Sequence, residues 1–96
     1  MPFILQTPRL FTRLNVENLN QNQFGVYGIF KQNQWIYVGK GDIRQRLLDH
    51  LNQDIPCIIN HGPTYWVDEV LPESQMSVRE KQLIIELNPL CNQKIG

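Results

Sequence analysis

Phe24-Gly25-Val26-Tyr27-Gly28-Ile29-Phe30-Lys31 and Gln34-Trp35-Ile36-Tyr37-Val38-Gly39 are the stretches on which the fold turns. Both are rich in aromatic and β-branched residues, the composition of strands. Only Gln32-Asn33 and their polar flanks lie between them, so the strands must pair antiparallel. The pairing is expected to bring the phenols of Tyr27 and Tyr37 side by side on one surface.

Working outward, Gly39-Lys40-Gly41 is expected to break the second strand and turn the chain. Asp42 is then the N-cap of a helix running to about Asn52, with Ile43, Leu47, Leu48 and Leu51 on one apolar stripe. Arg46 and His50, four apart, share a neighbouring face. Residues 53–63 carry Pro56, Gly62 and Pro63 and read mostly as loop, with a short helical turn at Cys57-Ile58-Ile59-Asn60. Residues 64–71 alternate as a third strand, Trp66 and Val70 on one face, Tyr65 and Val67 on the other. Pro72 and Ser74 lead into a last helix over 75–87, whose core face is Met76, Leu83, Ile84 and Leu87, and Pro89 ends it. The order is β-β-α-β-α. It predicts an α+β domain over residues 24–96 with a small three-stranded antiparallel sheet flanked by helices. Residues 1–23 form a lead segment docking through Phe3, Ile4, Leu5, Leu10, Phe11 and Leu14, with a short helix near 8–18.

At 96 residues and 42% hydrophobic, the chain is expected to be one globular domain with one core. No apolar run is long enough to span a bilayer, and the start lacks the pattern of a signal peptide, so a cytoplasmic location is expected. Cys57 and Cys91, the only two cysteines, match no metal-ligand spacing and read as free thiols in a reducing compartment. His61 reads as surface. Nine basic and nine acidic residues cancel, which weighs against a general nucleic-acid binder. Lys31, Lys40, Arg44 and Arg46, however, face only Asp42 in sequence, a local basic patch able to bind phosphate.

The triplets Gly25-Val26-Tyr27 and Tyr37-Val38-Gly39 resemble the two signatures of the GIY-YIG nucleases, read here as GVY and YVG. The resemblance extends over roughly residues 24–92 through Arg46, His50, Glu80 and the ending Asn88-Pro89-Leu90-Cys91-Asn92, all in the family's order. It implies an endonuclease that hydrolyses phosphodiester bonds in DNA with one divalent ion, Mg²⁺ or Mn²⁺, leaving a 5′-phosphate and a 3′-hydroxyl. On that reading Tyr27 stands near the attacking water and Tyr37 positions water or phosphate. Arg46 clamps phosphate in preference to Arg44, which faces elsewhere on the helix. His50 donates to phosphate or relays a proton from Tyr27. Glu80 ligates the metal, Gly25 and Gly39 admit close backbone approach, and Asn92 braces the site. Each residue also has a plainer reading. Tyr27 and Tyr37 serve as packing aromatics and His50 as an interfacial histidine. Glu80 closes the capping box Ser77-Val78-Arg79-Glu80. Gly25 ends a strand and Asn92 sits in a terminal turn. The alternative function is a nucleic-acid or protein interaction module of the same fold, non-catalytic or dependent on a partner protein.

Overall fold

The computed structural model describes residues 3–92, so the ends of the two expected segments, 1–2 and 93–96, lie outside the described residues. The paired strands are β2 (Phe24–Lys31) and β3 (Gln34–Asp42), joined by a tight hairpin in which Gln32 takes a positive φ of 48°. The register sets Tyr27 opposite Gly39 and Ile29 opposite Tyr37. A bulge follows at Ile29/Phe30. Tyr27 and Tyr37 therefore stand diagonally on one face, their ring centroids 6.4 Å apart.

Gly39-Lys40-Gly41 does not break β3. The strand runs on to Asp42, with Lys40 opposite Val26, Gly41 opposite Gly25 and Asp42 opposite Phe24. Gly39 is needed here for space rather than for a turn, whereas Gly41 takes a positive φ of 131° that favours glycine. A β-carbon on Gly39 would collide with the Tyr27 hydroxyl, and one on Gly25 with the main-chain carbonyl of Glu69 on the neighbouring strand. Simple strand termination therefore does not account for Gly25.

The expected third strand is β4 (Tyr65–Val70), antiparallel to β2. A fourth, β1 (Arg9–Leu10), pairs with the outer side of β4. The sheet order is β1-β4-β2-β3, four strands rather than three. Two residues leave no alternation to read, which is why β1 is invisible in the sequence. It is followed by the short helix α1 (Arg13–Glu17), N-capped by the Thr12 hydroxyl. Helix α2 (Ile43–Leu51) starts on Asp42, whose carboxylate accepts from Gln45 N. The helical turn expected at 57–60 is α3 (Pro56–Asn60), and the last helix is α4 (Glu73–Leu87), closed by Asn88 in the left-handed region at φ 49°.

Two cores sandwich the sheet. On one face Tyr27, Ile29, Ile36 and Trp66 pack against Phe11, Val16, Ile43, Leu47 and Ile58 from the lead segment and helices α1 to α3. On the other, Val26, Val38 and Val67 pack against Phe3 and Leu83, and Ile84 and Leu87 lie at the margin. Of the residues expected to dock the lead segment, Phe3 and Phe11 are buried, whereas Ile4, Leu5, Leu10 and Leu14 are exposed. Val16 supplies the missing anchor, fully buried. Among the described residues no helix is long and apolar enough to cross a membrane.

Candidate functional site

Tyr27 points from β2 into the face covered by α2, where His50 is one turn beyond Arg46. Its hydroxyl lies 2.7 Å from His50 Nε2. The other imidazole nitrogen, Nδ1, lies 2.8 Å from Asp54 Oδ1. A carboxylate only accepts, so Nδ1 carries the proton and Nε2 presents its lone pair to the Tyr27 O–H. The chain of bonds runs Tyr27 to His50 to Asp54. Tyr37 stacks edge-on against the same imidazole, centroids 5.1 Å apart.

Arg46 reaches back over this group. Its charge acts on both phenols and opposes the rise in their pKa. It also pairs with Asp49 at 3.4 Å and with Asp54 at 3.8 Å. About a third of its side chain remains exposed, so it retains donors for an incoming group.

Burial decides the protonation states. It is the largest influence on Tyr27 and raises the phenol far above its ordinary 10.0. Tyr37 adds to the effect, and the Arg46 guanidinium opposes it without prevailing. Desolvation of the charged form thus outweighs the nearby guanidinium and holds Tyr27 away from phenolate. Tyr37 is also raised, first by burial, opposed by Arg46 and assisted by the charge of Glu80. Burial lowers His50 below its ordinary 6.5, and the Asp54 carboxylate offsets this only in part. The imidazole is thus neutral at pH 7, as its bonding requires. Burial would lower Arg46, but the phenols and Asp54 outweigh it and the guanidinium stays charged.

Four of the residues expected from the sequence, Tyr27, Tyr37, Arg46 and His50, meet directly. The site is less open than expected, because Tyr27 and His50 are both fully buried. Tyr37, Arg46 and the half-buried Glu80 form its accessible part. Glu80 comes from α4, behind the outer strand β3, and acts electrostatically on Tyr37. The helix begins at Glu73 with Pro72 as its N-cap, so Ser77 and Glu80 stand inside it and form no capping box.

Asn92 closes the outer edge of β3. Its side chain accepts from Val38 N at 2.7 Å and donates to Val38 O at 2.8 Å, as a neighbouring strand would. Leu90 N and Cys91 N continue the pairing to Trp35 O and Ile36 O. This bracing fixes the backbone immediately after Tyr37.

The expected basic patch is dispersed. Lys31 ends β2 at the hairpin, whereas Lys40 pairs with Val26, five residues back, roughly 17 Å along a strand. Arg44 points the other way along α2, donating to Glu17 O at 3.4 Å. It lines a polar cavity of about 220 Å³ with Arg9, Asn18, Asn20 and Asp68.

Asp54 is the site residue that sequence reasoning missed. The interval from His50 to Asp54 suggests a helical pair, but α2 stops at Leu51. Gln53, at φ 65°, turns the chain back so that Asp54 regains the imidazole. The cysteines were also misread. Cys57 and Cys91 form a disulfide, their Cα atoms 5.8 Å apart. His61 packs beside it rather than standing free on the surface.

For a hard divalent cation the donor set near Tyr37 is sparse. The one group of three or more His, Cys, Asp or Glu side chains placed to share an ion among the described residues is Cys57, His61 and Cys91. Asp49 and Asp54 are engaged by Arg46 and His50. Mg²⁺ can be held by one carboxylate, since it takes most of its ligands from water and phosphate, and Glu80 is a half-buried carboxylate whose charge acts on Tyr37. No family model, curated protein or solved structure matches the chain.

Proposed function

We propose that the Tyr37–Arg46 face binds a DNA phosphodiester and that the Tyr27–His50–Asp54 chain takes the proton of the attacking water. The observation that carries this reading is the pair of short bonds, 2.7 Å and 2.8 Å, that orient an imidazole kept neutral by burial and back it with a carboxylate. A neutral imidazole so held is a competent general base, and Asp54 stabilises the imidazolium that results.

Arg46 offers its free donors to a non-bridging oxygen, matching the charge that grows in the transition state. For water to reach the fully buried Tyr27 hydroxyl, the side chains above it must shift as phosphate binds. The water oxygen attacks phosphorus. Its proton passes to the Tyr27 oxygen while the Tyr27 proton passes to His50 Nε2. The bond from phosphorus to the 3′-oxygen breaks, the 3′-oxygen takes a proton from solvent, and a 5′-phosphate and a 3′-hydroxyl remain. Tyr27 shuttles a proton and never becomes a free phenolate, as its raised pKa demands. Tyr37, braced by the Asn92 clamp, orients the phosphate. Glu80 would hold one Mg²⁺ or Mn²⁺, which when bound stabilises phosphoryl charge and the leaving oxygen.

A second reading draws on the same burial. Tyr27 and His50 have no solvent contact and the net charge is zero, as suits a module that binds nucleic acid or a protein partner without turnover. Supercoiled plasmid and branched DNA incubated with the pure protein separate the two. The hydrolytic reading requires nicking with Mg²⁺ or Mn²⁺, silenced by EDTA. Binding without nicking under any metal, alone or with a cell extract supplying partners, would establish the module instead.

A further inference from the structure

Cys57 lies in the first turn of α3, His61 follows that helix, and Cys91 belongs to the tail after α4. Four residues apart, Cys57 and His61 fall on the same side of the helical turn. His61 Nδ1 stands 3.7 Å from Cys57 Sγ and 3.7 Å from Cys91 Sγ. The three potential ligand atoms lie within 4.8 Å of one another, each on a half-buried residue. One nitrogen thus stands equally far from both sulfurs while it bonds the Cys57 carbonyl.

We propose that, once the disulfide is reduced, Cys57, His61 and Cys91 form a binding site for a thiolate-preferring divalent cation of the Zn²⁺ type. A dithiol reductant supplies two electrons and two protons. The S–S bond breaks, two thiols form, and the reductant leaves as its own disulfide. Binding the cation releases both thiol protons to solvent and makes two metal–sulfur bonds and one metal–nitrogen bond. Two thiolates cancel the charge of the ion, so a half-buried site pays little for desolvation. In the oxidised form His61 Nδ1 donates to the Cys57 carbonyl at 3.0 Å. On metal binding that proton moves to Nε2 and Nδ1 offers its lone pair.

The spacing suits this. A tetrahedral ion about 2.3 Å from sulfur and about 2.0 Å from nitrogen sets those atoms roughly 3.5 Å apart, close to the 3.7 Å already present. The freed sulfurs must separate to roughly 3.8 Å, which side-chain rotation supplies across a Cα separation of 5.8 Å. Sulfur and imidazole select Zn²⁺-type ions over Mg²⁺, and three protein ligands leave a fourth position for water. The site shares no residue with the proposed hydrolytic face and stands or falls apart from it.

The test is a Co²⁺ titration of the full chain, reduced with a phosphine and freed of reductant without oxygen. The expected result is one equivalent bound, with a thiolate-to-cobalt charge-transfer band and tetrahedral visible absorption, both abolished by Zn²⁺ and absent from the oxidised chain. His61→Gln, which leaves both cysteines in place, should weaken binding at least as much as the about 10–100-fold lost with outer-sphere partners. Far-UV circular dichroism checks that this variant is folded. A reduced chain that takes up no Co²⁺ with thiolate absorption, or a folded His61→Gln variant that binds as tightly as wild type, would overturn the assignment.

Discussion

His50 shows how one buried side chain ties stability to chemistry. Its imidazole is held below the ordinary 6.5 because burial penalises its charged form more than Asp54 favours it. The unfolded chain therefore binds a proton first as pH falls. The stabilisation from neutral His50 is complete above about pH 6.5 and is lost as pH drops through the folded-state value. The same titration removes the proposed base. Single-turnover cleavage should be flat from pH 7 upward and decline in the acid range, the melting temperature falling over the same window. A rate that rises on acidification would exclude neutral His50 as the base. The glycines give a second test. Gly25→Ala drives a methyl into the Glu69 carbonyl, which is backbone and fixed by sheet pairing. Gly39→Ala meets the Tyr27 side chain. Urea denaturation should show both destabilised by at least the ~1–3 kcal/mol of an overpacked site, with Gly25→Ala the worse. Tyr27, Tyr37, Arg46 and His50 were singled out by the family resemblance, while strand and helix period placed the two phenols on one surface and Arg46 beside His50. Asp54 was not, because a single left-handed residue, Gln53, returns it to the imidazole. The disulfide was not, because a bond spanning 34 residues leaves no local trace.

At the scale of elements, β2, α2 and α4 were legible in the sequence, since each combines a clear period with a clear boundary. Asp42 caps α2 as its side-chain chemistry dictates. β3 outruns its expected end because Gly39 makes room for the Tyr27 ring instead of breaking the strand. β1 has no readable period, and its place was taken for part of a docking segment. The segment after α4 deserves the name of a false strand. Leu90 and Cys91 pair with β3 through the main chain and Asn92 through its side chain. Asn92→Ala strips the side-chain partners from Val38 N and Val38 O, next to Tyr37. It should cost roughly 1–3 kcal/mol if those groups stay dry, with faster hydrogen exchange at Val38 and a lower cleavage rate. Unchanged exchange at Val38 would show that water replaces the clamp without loss.

Across the whole molecule the sheet keeps its two faces for different work. One carries the Tyr–His–Asp chain beneath α2, and the other seats α4, which brings Glu80 towards Tyr37. A further ion pair ties the lead segment into this frame. Arg79 grips Glu69 at 2.9 Å and 3.0 Å, and Ile4 N donates to the same carboxylate at 2.8 Å. Burial alone would raise the Glu69 carboxyl, but these donors outweigh it and hold it below its ordinary value. The charge count of zero says nothing of this arrangement, and the scattered Lys31, Lys40 and Arg44 leave Arg46 as the cation centred on the phenols. The central claim is that His50, backed by Asp54, removes a proton during phosphodiester hydrolysis. Asp54→Asn tests it most directly, because Asn still accepts from Nδ1 and only the charge is lost. The measurement is the single-turnover rate of Mg²⁺-dependent plasmid nicking by wild type and by this variant, alongside their melting temperatures. The account predicts a fall on the order of 10²-fold in a protein that remains folded, whereas nicking by folded Asp54→Asn at the wild-type rate would contradict it.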